Sequence, residues 1–99
     1  MSQSKHSGPL RDLNAFQRDA LVAIDAVGPT HGLGIKEYLE QSYDAQEVNH
    51  GRLYPNLDTL AEKGLVEKRA EDRRTNEYRL TSRGRRELVA HRDWMGEGA

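Results

Sequence analysis

The 99-residue sequence contains no cysteine, and this absence excludes several kinds of chemistry. Disulfide bonds, thiol nucleophiles, cysteine-ligated zinc and a redox-sensing thiol in this chain all require that side chain. The chain has four histidines, but they do not have the spacing of metal ligands. They are His6, His31, His50 and His91. We therefore expect no metal site and no cofactor.

Long apolar runs and catalytic patterns are also absent. No run approaches the ~20 apolar residues that a membrane span needs, and Met1–Pro9 lacks the apolar core of a signal peptide. The glycine-bearing turn Thr30–Gly34 does not follow the G-x-x-x-x-G-K-[ST] pattern of a phosphate-binding loop. There is no nucleophile–base pair and no pair of carboxylates in apolar surroundings. We expect neither an enzyme nor contact with a membrane.

Positive charge is concentrated in the second half of the chain. The net charge is −1, but residues 49–92 carry 11 Lys/Arg against 7 Asp/Glu, a net +4. Residues 10–48 carry 3 against 7, a net −4. This polarity is typical of a chain that presents one basic surface to a polyanion. Ordinary solvated surfaces remain the alternative, because charge alone does not distinguish the two.

Helical periodicity predicts the first two elements. Helix 1 has Asn14 as N-cap with Gln17 in the capping-box position, and it ends at Gly28-Pro29. Helix 2 is short, from about Gly34 to Ser42, and the turn Tyr43–Val48 follows it.

The stretch from Asn49 to Gly64 carries the strongest functional pattern. Its apolar stripe consists of Leu53, Leu57, Leu60 and Ala61. Its other side presents donors suited to phosphates and base edges, namely Arg52, Asn56, Thr59 and Lys63. We favour Asn49 over Asp44 as the N-cap and expect Gly64 to end the helix. Pro55 predicts a kink, and a start at Pro55 is the alternative.

A hairpin is predicted directly after this helix. Its strands are Leu65–Ala70 and Asn76–Leu80, and its tip carries the adjacent arginines Arg73 and Arg74. A donor-bearing helix followed by a basic hairpin is the arrangement of a winged helix-turn-helix. We therefore predict a mainly α (α+β) fold with a three-helix core and a two-stranded β wing. Wing arginines suit a narrow minor groove, although a solubilising turn is the alternative.

The last predicted helix, residues 82–95, has an apolar stripe with little core left to cover. A domain of this size has a thin core, and docking on a second copy would cover the stripe. We expect a flexible arm at 1–9, a DNA-binding domain at 10–81, a dimerisation helix at 82–95 and a disordered tail at 96–99. The candidate dimerisation residues are Leu10, Leu13, Phe16, Leu88, His91, Trp94 and Met95.

The run HGRLYPNLDTLAEKGLVEKRAEDRRTNEYRLTSRGRREL closely resembles the PadR family of winged-helix transcriptional regulators. The matching elements are Gly51-x-Leu53-Tyr54-Pro55, Leu57-x-x-Leu60-x-x-x-Gly64-Leu65-Val66 and Tyr78-x-Leu80-Thr81-x-x-Gly84. The resemblance covers about residues 13–90. It is strongest to short haloarchaeal members, a group that includes a regulator of the oxidative-stress response. The chain lacks the large C-terminal helical domain of longer members, so no small-molecule ligand is expected.

Members of this family bind double-stranded operator DNA as dimers and usually repress. The resemblance therefore implies a homodimeric DNA-binding regulator on a pseudo-palindromic operator, in the cytoplasm and at the nucleoid, in a stress response. A winged-helix module that binds another protein instead of DNA is the alternative.

Several DNA contacts follow from these patterns. Arg52 and Asn56 are candidates for guanine and adenine edges. By the resemblance, residues 49–52 would enter the major groove and Tyr54 would bond a phosphate. Lys5 and His6 in the arm could reach DNA, although a tail without a role is the alternative. The candidate DNA-binding residues are Asn49, His50, Gly51, Arg52, Tyr54, Asn56 and Lys63 in the helix and Lys68, Arg69, Arg73, Arg74, Thr75 and Asn76 in the wing.

Overall fold

A computed structural model gives the fold, and it describes residues 10–98. Lys5 and His6, the candidates in the arm, lie outside the described residues. Within 10–98 the helices and strands are α1 (Ala15–Val27), β1 (Thr30–His31), α2 (Gly32–Ser42), α3 (His50–Glu62), β2 (Val66–Ala70), β3 (Asn76–Leu80) and α4 (Ser82–Gly98). The predicted winged helix-turn-helix fold is confirmed.

The helix α1 begins with the predicted capping box. The side chain of Asn14 accepts a hydrogen bond from the Gln17 amide at 2.8 Å, and the Gln17 side chain accepts one from the Asn14 amide at 3.1 Å. Two otherwise unpaired amides at the helix start are thereby satisfied. The helix α2 starts two residues earlier than predicted, at Gly32 rather than Gly34. Glycine is a poor helix former, so a helix start at Gly32 is not predicted from the sequence.

The sheet is antiparallel with strand order β1-β3-β2. Val66 lies opposite Leu80 and Ala70 opposite Asn76, which confirms the predicted hairpin. The strand β1, in which Thr30 pairs with Tyr78, was not predicted. A strand of two residues is too short to show an alternating pattern. Its effect is to join the wing to the start of α2.

The core lies between α1, α2, α3 and the sheet, and α1 contacts all of them. Apolar side chains at helical spacing supply it, as the periodicity predicted. The largest fully buried side chains are Leu21, Ile24, Ile35, Leu39, Leu53, Leu57, Leu60 and Tyr78.

The helix α4 packs on α1 and is longer than predicted. Its side chain Leu88 is buried, and Asp25 of α1 pairs with Arg85 at 3.3 Å and Arg92 at 3.2 Å. The helix continues to Gly98, where a disordered tail was predicted. No proline follows Met95, and glycine weakens a helix by only about 1 kcal/mol per residue, so helical backbone can continue there.

Four of the predicted dimerisation residues lie elsewhere than expected. Leu10, Leu13, Phe16 and Leu88 are buried in the core of the single chain. The turn before α1, closed by a bond from the Leu13 amide to the Leu10 carbonyl, contributes both leucines to the core. We therefore remove these four from the surface that a second copy could cover.

Candidate nucleic-acid interface

The recognition helix α3 begins and ends as predicted. The Asn49 side chain accepts from the Arg52 amide at 2.9 Å as N-cap, and Pro55 lies inside the helix. At the other end Gly64 has a φ of +78°, a conformation that glycine adopts without strain. The Leu65 amide donates to the Leu60 carbonyl at 3.0 Å, so the chain turns at once into β2. This places the wing directly beside α3.

The donor side of α3 does not point straight out from the domain. At about 100° per residue, the face opposite the buried leucines contains other side chains. They are Gly51, Pro55, Asp58 and Glu62. Arg52 and Asn56 lie on the flank of α3 that faces α1, while His50 and Tyr54 lie on the other flank. The predicted set is therefore divided between two sides of the helix.

The flank next to α1 holds two predicted base-contacting residues in different ways. The guanidinium carbon of Arg52 lies over the Phe16 ring, 4.2 Å from its centroid, and the residue remains exposed. Asn56 accepts from Gln17 Nε2 at 2.8 Å and donates to the Arg52 carbonyl at 2.7 Å. Both ends of the Asn56 amide are thus bonded within the chain. The oxygen keeps a second lone pair and the nitrogen a second N–H, so the predicted adenine contact stays a prediction.

The opposite flank forms a groove with α2 and the wing. Tyr54 packs against Gly32, and its ring meets that of His50 edge-on with the centroids 5.7 Å apart. The groove has a volume of about 360 Å³ and is lined by Gly32, Leu33, Tyr54 and wing residues from Arg74 to Asn76. From the sequence, the 30–34 turn was considered only as a phosphate loop, and its part in this groove was missed. The signal in the sequence was a pair of glycines, Gly32 and Gly34, at the start of a helix, where a neighbouring side chain can approach the backbone closely.

An ion pair fixes the base of the wing to α3. Lys68 Nζ lies 3.0 Å from Asp58 Oδ1, and this hydrogen bond raises the pKa of Lys68. Lys68 was predicted to contact DNA. Its ammonium group pairs with Asp58 through one of three N–H donors, so Lys68 links β2 to the recognition helix and its DNA contact stays a prediction.

Further bonds order the wing tip. The Asp72 side chain accepts from the Arg74 amide at 2.9 Å, and this bond lowers the pKa of Asp72. His31 Nε2 lies 2.6 Å from Glu71 Oε1, which links the tip to β1. The tip is thereby held with the side chains of Arg73 and Arg74 exposed.

Besides Arg52, four lysine and arginine candidates remain available to a ligand. In the part of the chain that the structure describes, no carboxylate pairs with the side chains of Lys63, Arg69, Arg73 or Arg74, and all four are exposed. Thr75 and Asn76 are half-buried beside them. A surface of this kind attracts phosphates through charge and donated hydrogen bonds.

Residues 10–98 offer no metal site and no membrane span. No group of three His, Cys, Asp or Glu side chains in this range could hold a metal ion. None of its helices combines the length and the apolar character that crossing a membrane requires.

The comparison with family models identifies the fold's relatives. The model of the transcriptional regulator PadR-like family matches residues 20–90, well over half of the chain. The chain belongs to this family. It is therefore a PadR-like, DNA-binding transcriptional regulator and not an enzyme. A search of curated protein sequences gave no match.

Solved structures similar to this PadR-like regulator agree with that assignment. RosR from H. salinarum is 52% identical, with a TM-score of 0.81, over 86% of this chain and 76% of RosR. The hsRosR-SG complex is 50% identical, with a TM-score of 0.83, over 89% of this chain and 77% of that one. The predicted likeness to haloarchaeal members is confirmed. A mutant of MarR from E. coli, complexed with operator DNA, is 26% identical, with a TM-score of 0.74, over 88% of this chain and 59% of MarR.

Proposed function

We propose that this PadR-like regulator binds a pseudo-palindromic operator as a homodimer and represses transcription in a stress response. The observation that carries the proposal is the fixed placement of the wing beside α3. Lys68 and Asp58 join the two elements, while Arg73 and Arg74 remain unpaired at the exposed tip. A helix and a wing held in this way can contact adjacent grooves of one duplex.

Phosphate contacts would position the protein on the duplex. Tyr54 and Arg74 both line the groove between α2, α3 and the wing. A phenolic hydroxyl and a guanidinium both donate to phosphate oxygens. Lys63 and Arg69 add charge at the edges of this surface. These contacts set register and orientation without selecting a sequence.

Arg52 is the proposed base-contacting residue. Its guanidinium carbon lies over the Phe16 ring, and the residue is exposed. A guanidinium can donate two bonds to guanine O6 and N7, a contact worth about 1–3 kcal/mol of discrimination. Asn49, His50 and Gly51 occupy the exposed first turn beside it.

The proposed dimer surface is the C-terminal part of α4. Trp94 and Met95 are neighbouring large apolar side chains there, and they are 46% and 50% exposed. His91 stacks on Trp94 with the ring centroids 5.7 Å apart and completes this surface. In a two-fold dimer the two recognition helices would enter successive major grooves, about 34 Å apart.

A stress response is proposed from the similarity to short haloarchaeal members. No cysteine is present, so a redox signal would have to act through other groups or another molecule. The working place would be the cytoplasm, at the nucleoid.

The test is a binding titration with two DNA fragments. The full chain is titrated against its own promoter fragment and a scrambled fragment of equal length, at two salt concentrations. Light scattering measures the mass of the free and bound protein. We expect a dimer that binds the promoter more tightly. Absence of binding to either fragment at both salt concentrations would contradict the proposal and favour the protein-interaction module.

A further inference from the structure

We propose that Gln17, on α1, is a positioning residue that governs the base contact of Arg52 through Asn56. The proposal rests on the proposed DNA-binding function and adds to it a residue outside the recognition helix. Gln17 is 8% exposed and is the one buried amide or charged side chain among residues 10–96. Buried amides normally have a bonding role, and this one joins two helices.

Three hydrogen bonds run in one direction from α1 to α3. The Asn14 amide donates to Gln17 Oε1 at 3.1 Å, and Gln17 Nε2 donates to Asn56 Oδ1 at 2.8 Å. Asn56 Nδ2 then donates to the Arg52 carbonyl at 2.7 Å. Because the capping box fixes the oxygen of Gln17, its nitrogen must face α3. That in turn fixes which end of the Asn56 amide faces Arg52.

The start of α3 needs such support. Pro55 has no amide hydrogen, so the carbonyl of Gly51 lacks its usual partner within the helix. The Asn56 side chain adds a bond in the same turn, at the carbonyl of Arg52. Phe16, the neighbour of Gln17, holds the Arg52 side chain by its ring. Adjacent residues of α1 therefore place both the backbone and the guanidinium of Arg52.

This arrangement assigns different roles to two residues that look equivalent in the sequence. The oxygen and the nitrogen of Asn56 each make a bond within the chain, to Gln17 and to the Arg52 carbonyl, and we assign Asn56 to positioning on that ground. Arg52 remains exposed. Discrimination between bases at the position that Arg52 contacts should therefore depend on Gln17 and Asn56, while Asn56 itself contacts no base.

The key variant is Gln17→Glu. Its carboxylate still accepts from the Asn14 amide, so the capping box is kept, but it has no N–H to donate to Asn56. Gln41→Glu, an exposed substitution on α2, is the matched control for the added charge. Asn56→Ala interrupts the same link from the α3 side, which covers the case in which Gln17→Glu folds poorly. Melting temperatures establish that each variant is folded.

The measurement is a base-by-base discrimination profile. The duplex preferred by the wild-type chain is selected from a randomised pool, and affinities are then measured for every single-base change. We expect Gln17→Glu to weaken binding to the preferred duplex about fivefold relative to random DNA, as for one lost hydrogen bond. Discrimination should fall at the positions that Arg52→Ala affects and at no others. Adding Gln17→Glu to Asn56→Ala should change nothing further.

Two results would overturn the inference alone: a Gln17→Glu profile equal to that of wild type, or a base position lost in Asn56→Ala but kept in Gln17→Glu. The second result would mean that Asn56 contacts a base directly. A wild-type chain without any preferred duplex would instead overturn the proposed function, and this inference with it.

Discussion

The ring of Tyr54 lies against the backbone of Gly32, so that a Cβ on Gly32 would stand 2.7 Å from ring carbon Cε1. No real Cβ tolerates that distance, and either the ring or the start of α2 would have to move. The backbone of Gly32 itself does not require glycine, because the positive φ among the described glycines belongs to Gly64. Space for the phenol is therefore the reason for glycine at position 32.

Gly32→Ala should displace Tyr54 and weaken binding to all DNA. A hydrogen bond to a charged group contributes about 1.5–3 kcal/mol, so a loss of roughly 10- to 150-fold in affinity is expected. In a Tyr54→Ala background the same change should have little further effect. Gly96→Ala, where a Cβ meets nothing within 4 Å, is the control. Equal losses with and without Tyr54 would show that Gly32 acts on the fold instead.

The wing arginines should determine part of the salt dependence. Replacing Arg73 and Arg74 together by alanine removes two unpaired cations from the proposed interface. The slope of log affinity against log salt should fall in magnitude by about 2, equally for promoter and scrambled DNA. Replacing Arg86, an exposed arginine of α4, serves as the control. An unchanged slope would place the wing outside the interface.

Charge on the C-terminal part of α4 should separate the dimer. Trp94→Glu combined with Met95→Glu would bury two carboxylates without partners if a second copy covers this surface, which is strongly unfavourable. Light scattering should then report the mass of one chain, with weaker binding to the promoter. Gln41→Glu with Gln46→Glu adds the same charge at exposed sites away from α4. A doubly substituted chain that stays dimeric would contradict the assignment.

The hydroxyl of Tyr43 should make stability depend on pH in alkaline solution. Burial and the hydrogen bond that it donates to Asp19 raise the pKa of Tyr43 from 10.0 to about 12. Between these values the folded chain keeps a proton that the unfolded chain releases, so the free energy of unfolding falls as pH rises from 10 to 12. Tyr43→Phe should remove this part of the decline in denaturation curves measured across that range. Tyr38→Phe should leave it in place.

The sequence was sufficient for most of the fold because its signals are local. The capping box of Asn14 and Gln17, the Asn49 cap and the Gly64 turn each need only neighbouring residues, and all three are confirmed. The strand β1 was not predicted, because two residues are too few to show an alternating pattern. The extension of α4 beyond Met95 was not predicted, because the glycines there suggest the end of a helix.

Less of the candidate site could be predicted from the sequence, because its arrangement depends on contacts between residues that are far apart in the chain. Spacing placed Arg52 and Asn56 on one face of α3. It could not show that Gln17, 39 residues earlier in the chain, is hydrogen-bonded to the Asn56 side chain. Nor could it show that Asp58 pairs with the ammonium group of Lys68. Periodicity also could not tell whether Leu88 covers the chain's own core or a second copy.

The two bonds that hold the wing, Lys68 to Asp58 and His31 to Glu71, bear on which molecule deforms when the complex forms. A wing that is already ordered in the free protein loses little conformational freedom on docking. We therefore expect the adjustment of shape to fall to the duplex. Its ease of bending, greatest at pyrimidine–purine steps, becomes a second source of operator preference at base pairs that no side chain touches.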